Sequence, residues 1–217
     1  MTRYKHLGLI LPVVFFLSAA AGYSSAQTWH TVKWVNDGDT IVLSNGWRVR
    51  YIGIDAPEVE HENQKAQPYA DKARSFNKNL VLSQKINLEF DEERRDRYGR
   101  LLAYIFLEDG SFLNSRMLEN GLAFYLYRKP NMTYEKRLIK IQQEAMKIRK
   151  GLWRDWKEEQ GRYIGNQNSR RFHLGTCPLA QKIKLKNRII FSKKWDAFYA
   201  GYAPARNCIH EFWSYEQ

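Results

Sequence analysis

The chain is poor in cysteine and proline, with two of one and six of the other among 217 residues. Two cysteines permit at most one disulfide, so a chain of this length must rest on a hydrophobic core rather than on a disulfide framework. Its main apolar run, Leu7 to Leu17, is shorter than the ~20 residues of a membrane span and is interrupted by Pro12. No cysteine stands directly after that run, which argues against a lipid-anchored form. No internal repeat or low-complexity tract appears, so an array architecture is excluded. Acidic residues are in the minority: 23 Asp and Glu face 35 Lys and Arg, a formal charge of +12. A surface of that sign attracts phosphate backbones through counterion release.

What is present begins with an export signal. Arg3 and Lys5 precede the apolar run, and small residues end at Ser24-Ser25-Ala26, so cleavage is expected after Ala26. The mature chain would keep a charge of +10, of which residues 165 to 217 carry +6. Export implies a secreted or periplasmic protein, with no stable membrane association after cleavage. The organisation that follows is a signal peptide at 1–26, a main domain at 27–160, a linker at 161–170 suggested by Gly161, Gly165, Asn166, Asn168 and Ser169, and a small basic module at 171–217.

Within the main domain the pattern is of strands broken by turns. Trp29 to Val35, Thr40 to Leu43 and Trp47 to Ile54 read as strands, with Ser44-Asn45-Gly46 a hairpin signal. Pro57 restrains Ala56 and ends the third strand. Tyr69 to Leu82 places Ala70, Ala73, Phe76 and Leu80 on one helical stripe. Ile86 to Phe90 and Leu101 to Leu107 alternate as strands, Leu113 to Asn120 is a short helix closed by Gly121, and Thr133 to Lys150 is a longer one with Gly151 past its end. His61, between Glu60 and Glu62 in a polar loop, is expected to face solvent.

Three segments carry the chemistry: Asp37-Gly38-Asp39-Thr40, Arg50 through Asp55-Ala56-Pro57-Glu58, and Asp96-Arg97-Tyr98-Gly99-Arg100. Alone, the first reads as a turn and the last as a strand start. Together they offer carboxylates for a hard cation and guanidinium groups for a phosphate. A cation such as Ca²⁺ prefers carboxylate and carbonyl oxygens, which Asp39, Asp55 and the Ala56 carbonyl can supply. Glu58 is close enough in sequence to Asp55 to reach a metal-bound water. Arg50 and Arg100 can bind phosphate oxygens through planar forks that stay charged at any working pH.

This series resembles the staphylococcal nuclease family. The resemblance covers about residues 29 to 156 and rests on Val35 to Thr40, Val49 to Glu58, Asp96 to Tyr104, Asn120-Gly121-Leu122-Ala123 and Lys129-Pro130-Asn131, in that order. It implies an α+β fold built on a five-stranded barrel of the oligonucleotide-binding (OB) type with about three helices. It further implies a Ca²⁺-dependent phosphodiesterase acting on DNA and RNA with little sequence preference, single strands favoured, that leaves 3′-phosphate ends. Carried over residue by residue, Asp39, Asp55 and the Ala56 carbonyl hold calcium, Glu58 positions or deprotonates the attacking water, and Arg50 with Arg100 clamps the phosphate. Asp37 and Thr40 support the ligands, while Arg97 and Tyr98 contact a terminal phosphate. Tyr125 and Tyr127 take the places of the family's substrate-contacting tyrosines, in a stretch one residue shorter, with core packing the alternative. A monomer is expected. The rival functions are a non-catalytic nucleic-acid-binding barrel and an exported protein whose tail binds metal. Binding alone needs none of the acids, which repel phosphate unless a metal intervenes.

Both cysteines lie in the basic module. His173 and Cys177, with Cys208 and His210, can form a zinc site, and Cys177 and Cys208 can equally form a disulfide or remain free thiols. The stretch from Phe172 to Cys208 is similar to small Ada-type metal-binding modules, with Ala205 where those carry a cysteine. Phe191, Trp195, Tyr199 and Tyr202 can stack on single strands or form a small core.

Overall fold

The computed structural model describes residues 28–60, 65–82, 84–158, 160–206 and 208–209. The expected signal peptide, His61 and His210 lie outside these residues. Five strands close a barrel in the order β1 (Trp29–Val35), β2 (Thr40–Leu43), β3 (Arg48–Tyr51), β6 (Leu101–Leu107) and β5 (Lys85–Glu89). Between β3 and β5 come β4 (Ile54–Asp55) and α1 (Ala70–Val81). After β6 follow α2 (Leu113–Glu119), β7 (Phe124–Tyr125) and α3 (Glu135–Lys147). All neighbouring barrel strands run antiparallel except β3 and β6, which pair in parallel with Arg50 opposite Leu102. An OB-type α+β barrel is therefore the architecture.

Burial explains the strand pattern. Val32, Val35, Ile41, Leu43, Val49, Tyr51, Ile86 and Ile105 fill the barrel, and Met117, Leu118 and Leu138 from two helices close it. The stretch read as one strand from Trp47 to Ile54 is in fact two, β3 and β4. Gly53 interrupts it at φ +77, a left-handed conformation that glycine adopts at no steric cost. A Cβ there would meet Leu138 Cδ1 at 2.6 Å, so α3 packs directly on this turn. The offset β4 then pairs with β7 rather than with the barrel.

The segment expected as a linker is a strand. β8 (Gln160–Asn166) pairs antiparallel with β9 (Arg171–Leu174), and Asn168 and Ser169 lie in the turn between them. Gly165 lies beneath Phe191 and Tyr202, where an added Cβ would sit 2.9 Å from each ring. Its role is close packing rather than flexibility. After β9 come α4 (Pro178–Gln181), β10 (Arg188–Lys193), α5 (Lys194–Tyr199) and β11 (Ala203–Pro204), giving a second sheet in the order β10-β8-β9-β11. The tail shares a core with the main domain: Phe124, Met146, Leu152, Trp153 and Trp156 pack with Phe172, Phe191, Phe198 and Tyr202. Trp195 meets Trp153 and Trp156 edge-on at ring separations of 5.9 and 5.8 Å. Such contacts make the tail's aromatics mostly core. Gln142, fully buried on α3, ties the halves together by accepting from the Tyr125 amide and donating to the Phe198 carbonyl.

Candidate active site

Short chain distances bring the first carboxylates together. The β2–β3 hairpin sets Thr40 opposite Arg50, so Asp37 and Asp39 enter β2 next to the end of β3, where β4 delivers Asp55. Gly38 makes this approach feasible, because a Cβ there would meet those of Ala56 at 2.6 Å and Ala73 at 2.9 Å. Asp37 Oδ1 accepts from the Asp39 amide, and Asp39 accepts from the Thr40 hydroxyl at 3.0 Å and the Ala56 amide at 2.6 Å. The Asp39 and Asp55 carboxylates are both nearly sealed from solvent.

Arg50 organises this rim. It donates to the carbonyls of Tyr51 and Ile54, holding the turn closed, and its Nη2 lies 2.7 Å from Asp55 Oδ1 and 3.1 Å from Asp39 Oδ2. Burial pushes the Asp39 carboxyl well above the usual carboxylate range, Arg50 opposes that, and neighbouring Asp37 and Asp55 reinforce it. The Arg50 guanidinium is held charged by Asp39 and Asp55 against the pull of burial.

Two arginines from the tail complete the arrangement. Arg206 places Nη2 2.8 Å from Asp55 Oδ2 and Nη1 2.8 Å from Glu58 Oε1. Arg171, held by the Pro204 carbonyl, is half-buried; burial lowers its pKa, and Asp55 acts in the opposite direction. A cleft of about 440 Å³ beside these groups is lined by Arg97, Ser169, Arg171, His173, Ala205 and Arg206. Three guanidinium groups around one cleft suit an anionic chain. The carboxylate group itself offers only hard oxygen donors, four acids against the two arginines that pair with them, a donor set that fits a hard divalent cation.

The other expected site residues fall as follows. Arg100 is held by a different carboxylate: its Nε lies 2.7 Å from Asp96 Oδ2, and its guanidinium stands over the exposed Tyr98 ring. Arg97 also pairs with Tyr98 and lines the cleft. Tyr125 is buried in the core, with its hydroxyl donating to Glu135, whereas Tyr127 is half-buried against that core. Cys177 and Cys208 are free thiols, and both sulfurs approach His173 Nδ1.

Several residues that shape the site had not been singled out from the sequence. Asn77, fully buried on α1, donates to the Asp37 carbonyl and accepts from the Tyr51 hydroxyl, so it joins the acidic turn to β3. Asn114 on α2 donates to the Ile52 carbonyl and accepts from the Ile105 amide, fixing the turn that precedes Asp55. Asn77 stands four residues after Ala73, and a polar residue next to the apolar stripe was the available signal. Arg171 and Arg206 gave no comparable signal: Arg206 is 148 residues from Glu58 and 151 from Asp55, and Arg171 is likewise distant in sequence from Asp55.

Residues 48–155 match the family model described as staphylococcal nuclease homologue. The chain is 37% identical over 141 residues to the thermonuclease of Staphylococcus hyicus, an alignment spanning 64% of this chain and 82% of that one. The chain belongs to the staphylococcal nuclease family. Against the thermonuclease of Staphylococcus intermedius the identity is 39% over 127 residues, covering 57% of this chain and 75% of the other. Endonuclease YncB of Bacillus subtilis is 44% identical over 123 residues, or 54% and 57% of the two chains. This family member is thus a nuclease, a hydrolase of phosphodiester bonds, and nucleic acid is its substrate. A barrel that only binds is set aside on that ground. Among the described residues no helix is long and apolar enough to cross a membrane.

Proposed function

We propose that the protein is an exported, Ca²⁺-dependent nuclease that cleaves DNA and RNA with little sequence preference and leaves 3′-phosphate ends. The observation that carries this reading is the convergence of Asp37, Asp39, Asp55 and Glu58 around Arg50 at one rim of the barrel. Four acids would not be gathered at a phosphate-binding surface unless a cation mediates between them and the substrate. Asp39, Asp55 and the Ala56 carbonyl would hold calcium, with Asp37 and Thr40 orienting Asp39 from behind. When bound, the ion supplies Lewis-acid polarisation of the phosphoryl group and orients the nucleophilic water.

The chain's own groups then do the rest. Arg50 exchanges its contacts to Asp39 and Asp55 for phosphate oxygens, and Arg100 approaches the same phosphate from the start of β6, so that charge developing on the equatorial oxygens is met by two guanidinium groups. Glu58, freed from Arg206, accepts a proton from the attacking water. The water oxygen bonds to phosphorus as the bond to the 5′ oxygen breaks, the departing oxygen takes a proton from solvent, and the phosphate stays on the 3′ side. The arginine-lined cleft guides the backbone, Arg97 and Tyr98 meet a terminal phosphate, and the half-buried Tyr127 is better situated than Tyr125 for contact with a base.

The test is degradation of labelled single-stranded DNA and RNA by the mature protein, in Ca²⁺ and then in excess chelator. Calcium-dependent fragments ending in 3′-phosphates are expected. Glu58→Gln should lower kcat by about a hundredfold or more with substrate binding little changed. Activity within about threefold of wild type would remove Glu58 from the role of base.

A further inference from the structure

We propose that His173, Cys177 and Cys208 hold a zinc-class divalent ion that fastens the C-terminal turn carrying Arg206 against the catalytic carboxylates. The three ligands come from separate places in the chain: His173 from β9, Cys177 from the residue that starts α4, and Cys208 from the turn after β11. Their donor atoms nevertheless all lie within 4.8 Å of one another. His173 Nδ1 is 3.3 Å from Cys208 Sγ and 3.8 Å from Cys177 Sγ. A tetrahedral ion with metal–sulfur bonds of ~2.3 Å and metal–nitrogen bonds of ~2.0 Å sets its nitrogen–sulfur edges at about 3.5 Å, between these two distances. A disulfide would draw the sulfurs to ~2.05 Å, and in the structure they are free.

The donor types select the metal. Two thiolates and an imidazole favour zinc-class ions over calcium or magnesium, so this site and the oxygen-only site at the barrel rim would not compete for one ion. Its surroundings suit a buried anchor: Cys177 packs with Ile164, Ala180 and Ile183, while the partial exposure of His173 and Cys208 leaves room for solvent as the fourth ligand.

The position of the site gives it a consequence. Cys208 follows Arg206 by two residues, and the short strand before it pairs with the sheet at Ala203 with Arg171 and Pro204 with Phe172, extended by the Ala205 amide on the Phe172 carbonyl. An ion joining Cys208 to His173 and Cys177 fixes that segment, and with it the Arg206 guanidinium on Asp55 and Glu58. The tail then acts as a restraint on the acids needed for catalysis, set by a second metal.

The full mature chain, purified under reducing conditions and dialysed, is expected to carry about one zinc per molecule by elemental analysis. Cys177→Ser, Cys208→Ser and His173→Ala should lose it, whereas Asp39→Asn should retain it. After zinc is stripped from the wild-type protein, Co²⁺ should restore the site with a thiolate-to-cobalt charge-transfer band, a readout that holds even if the variants fold poorly. Stripping should also lower the calcium concentration for half-saturation, measured by calorimetry, in the same direction as removal of Arg206. No zinc uptake by the reduced wild-type chain, or consumption of both thiols by a disulfide in the native protein, would overturn the site. Zinc uptake with unchanged calcium affinity would overturn its link to Arg206. Because stoichiometry and the cobalt band do not depend on catalysis, failure here is distinguishable from failure of the calcium-dependent mechanism.

Discussion

Arg206→Ala is the most informative single perturbation. The Arg206 side chain is 45% exposed, Glu58 is 29% exposed and Asp55 only 7%. Burial acts to lower the Arg206 pKa, but Asp55 and Glu58 outweigh it and hold the guanidinium more firmly charged than in water. A fully exposed pair would contribute ~0.2–1 kcal/mol, and a charge-assisted hydrogen bond to a buried group ~1.5–3 kcal/mol. With the arginine nearly half in solvent, the interaction should lie near the lower end of the second range, at about 1–2 kcal/mol. A cation that uses Asp55 must displace it, so its removal should lower the calcium concentration for half-saturation by roughly 5- to 30-fold, at ~1.4 kcal/mol per factor of ten. Calcium titration by calorimetry, alongside initial rates on a labelled oligonucleotide, measures both effects. Unchanged or weaker calcium binding, together with a higher KM, would refute the competition argument and make Arg206 a phosphate contact alone.

Other expectations follow from the same geometry. Asn114→Ala strips partners from two buried backbone groups, and at ~1–3 kcal/mol each it should cost about 2–6 kcal/mol in urea unfolding; a loss below about 1 kcal/mol would show that the Ile52 turn is held by other means. Asp39 has a raised pKa in the folded state, so its contribution to the stability of the calcium-free protein is complete below the unfolded value near 3.8 and is lost as pH rises through the folded one. Calcium-free unfolding measured from acid to neutral pH should therefore show a decline that Asp39→Asn removes, and an identical pH dependence in both proteins would contradict it. Asp96 runs the other way: burial raises its pKa, but hydrogen bonds from Arg100 and from the Arg100 and Tyr98 amides lower it further. The stability Asp96 gives should be present above pH ~4 and lost as pH falls through its depressed value, so the destabilisation of Asp96→Asn, followed by thermal unfolding, should shrink in acid.

The two acidic clusters were legible because their assembly is local. The hairpin signal Ser44-Asn45-Gly46 and the Asp37-Gly38-Asp39 turn are short-range features, and together they bring Asp39 beside Arg50, with Asp55 only five residues further on. Strand β5 likewise follows from alternating burial, and β6 from a continuous buried run of apolar residues, Leu101 to Ile105. The break at Gly53 was not legible, because its cause is the approach of Leu138 from α3 together with the grip of Arg50 on two carbonyls. The strand at 160–166 was misread as a linker for a related reason: Gly165 is small to admit Phe191 and Tyr202, a demand set by partners dozens of residues away.

Sequence alone therefore determined the barrel strands, the acidic rim and the family, since each depends on residue order over short distances. Tertiary structure alone decided where the tail goes. Neither composition nor spacing indicates that Arg206 meets Asp55 and Glu58, or chooses between the zinc site and the disulfide that the sequence leaves open for His173, Cys177 and Cys208. Those contacts arise from the parallel pairing of β11 with β9 and from a core built jointly by Trp153, Phe172 and Phe198. Long-range pairings of this kind are fixed by burial summed over the whole fold, a quantity no local pattern contains.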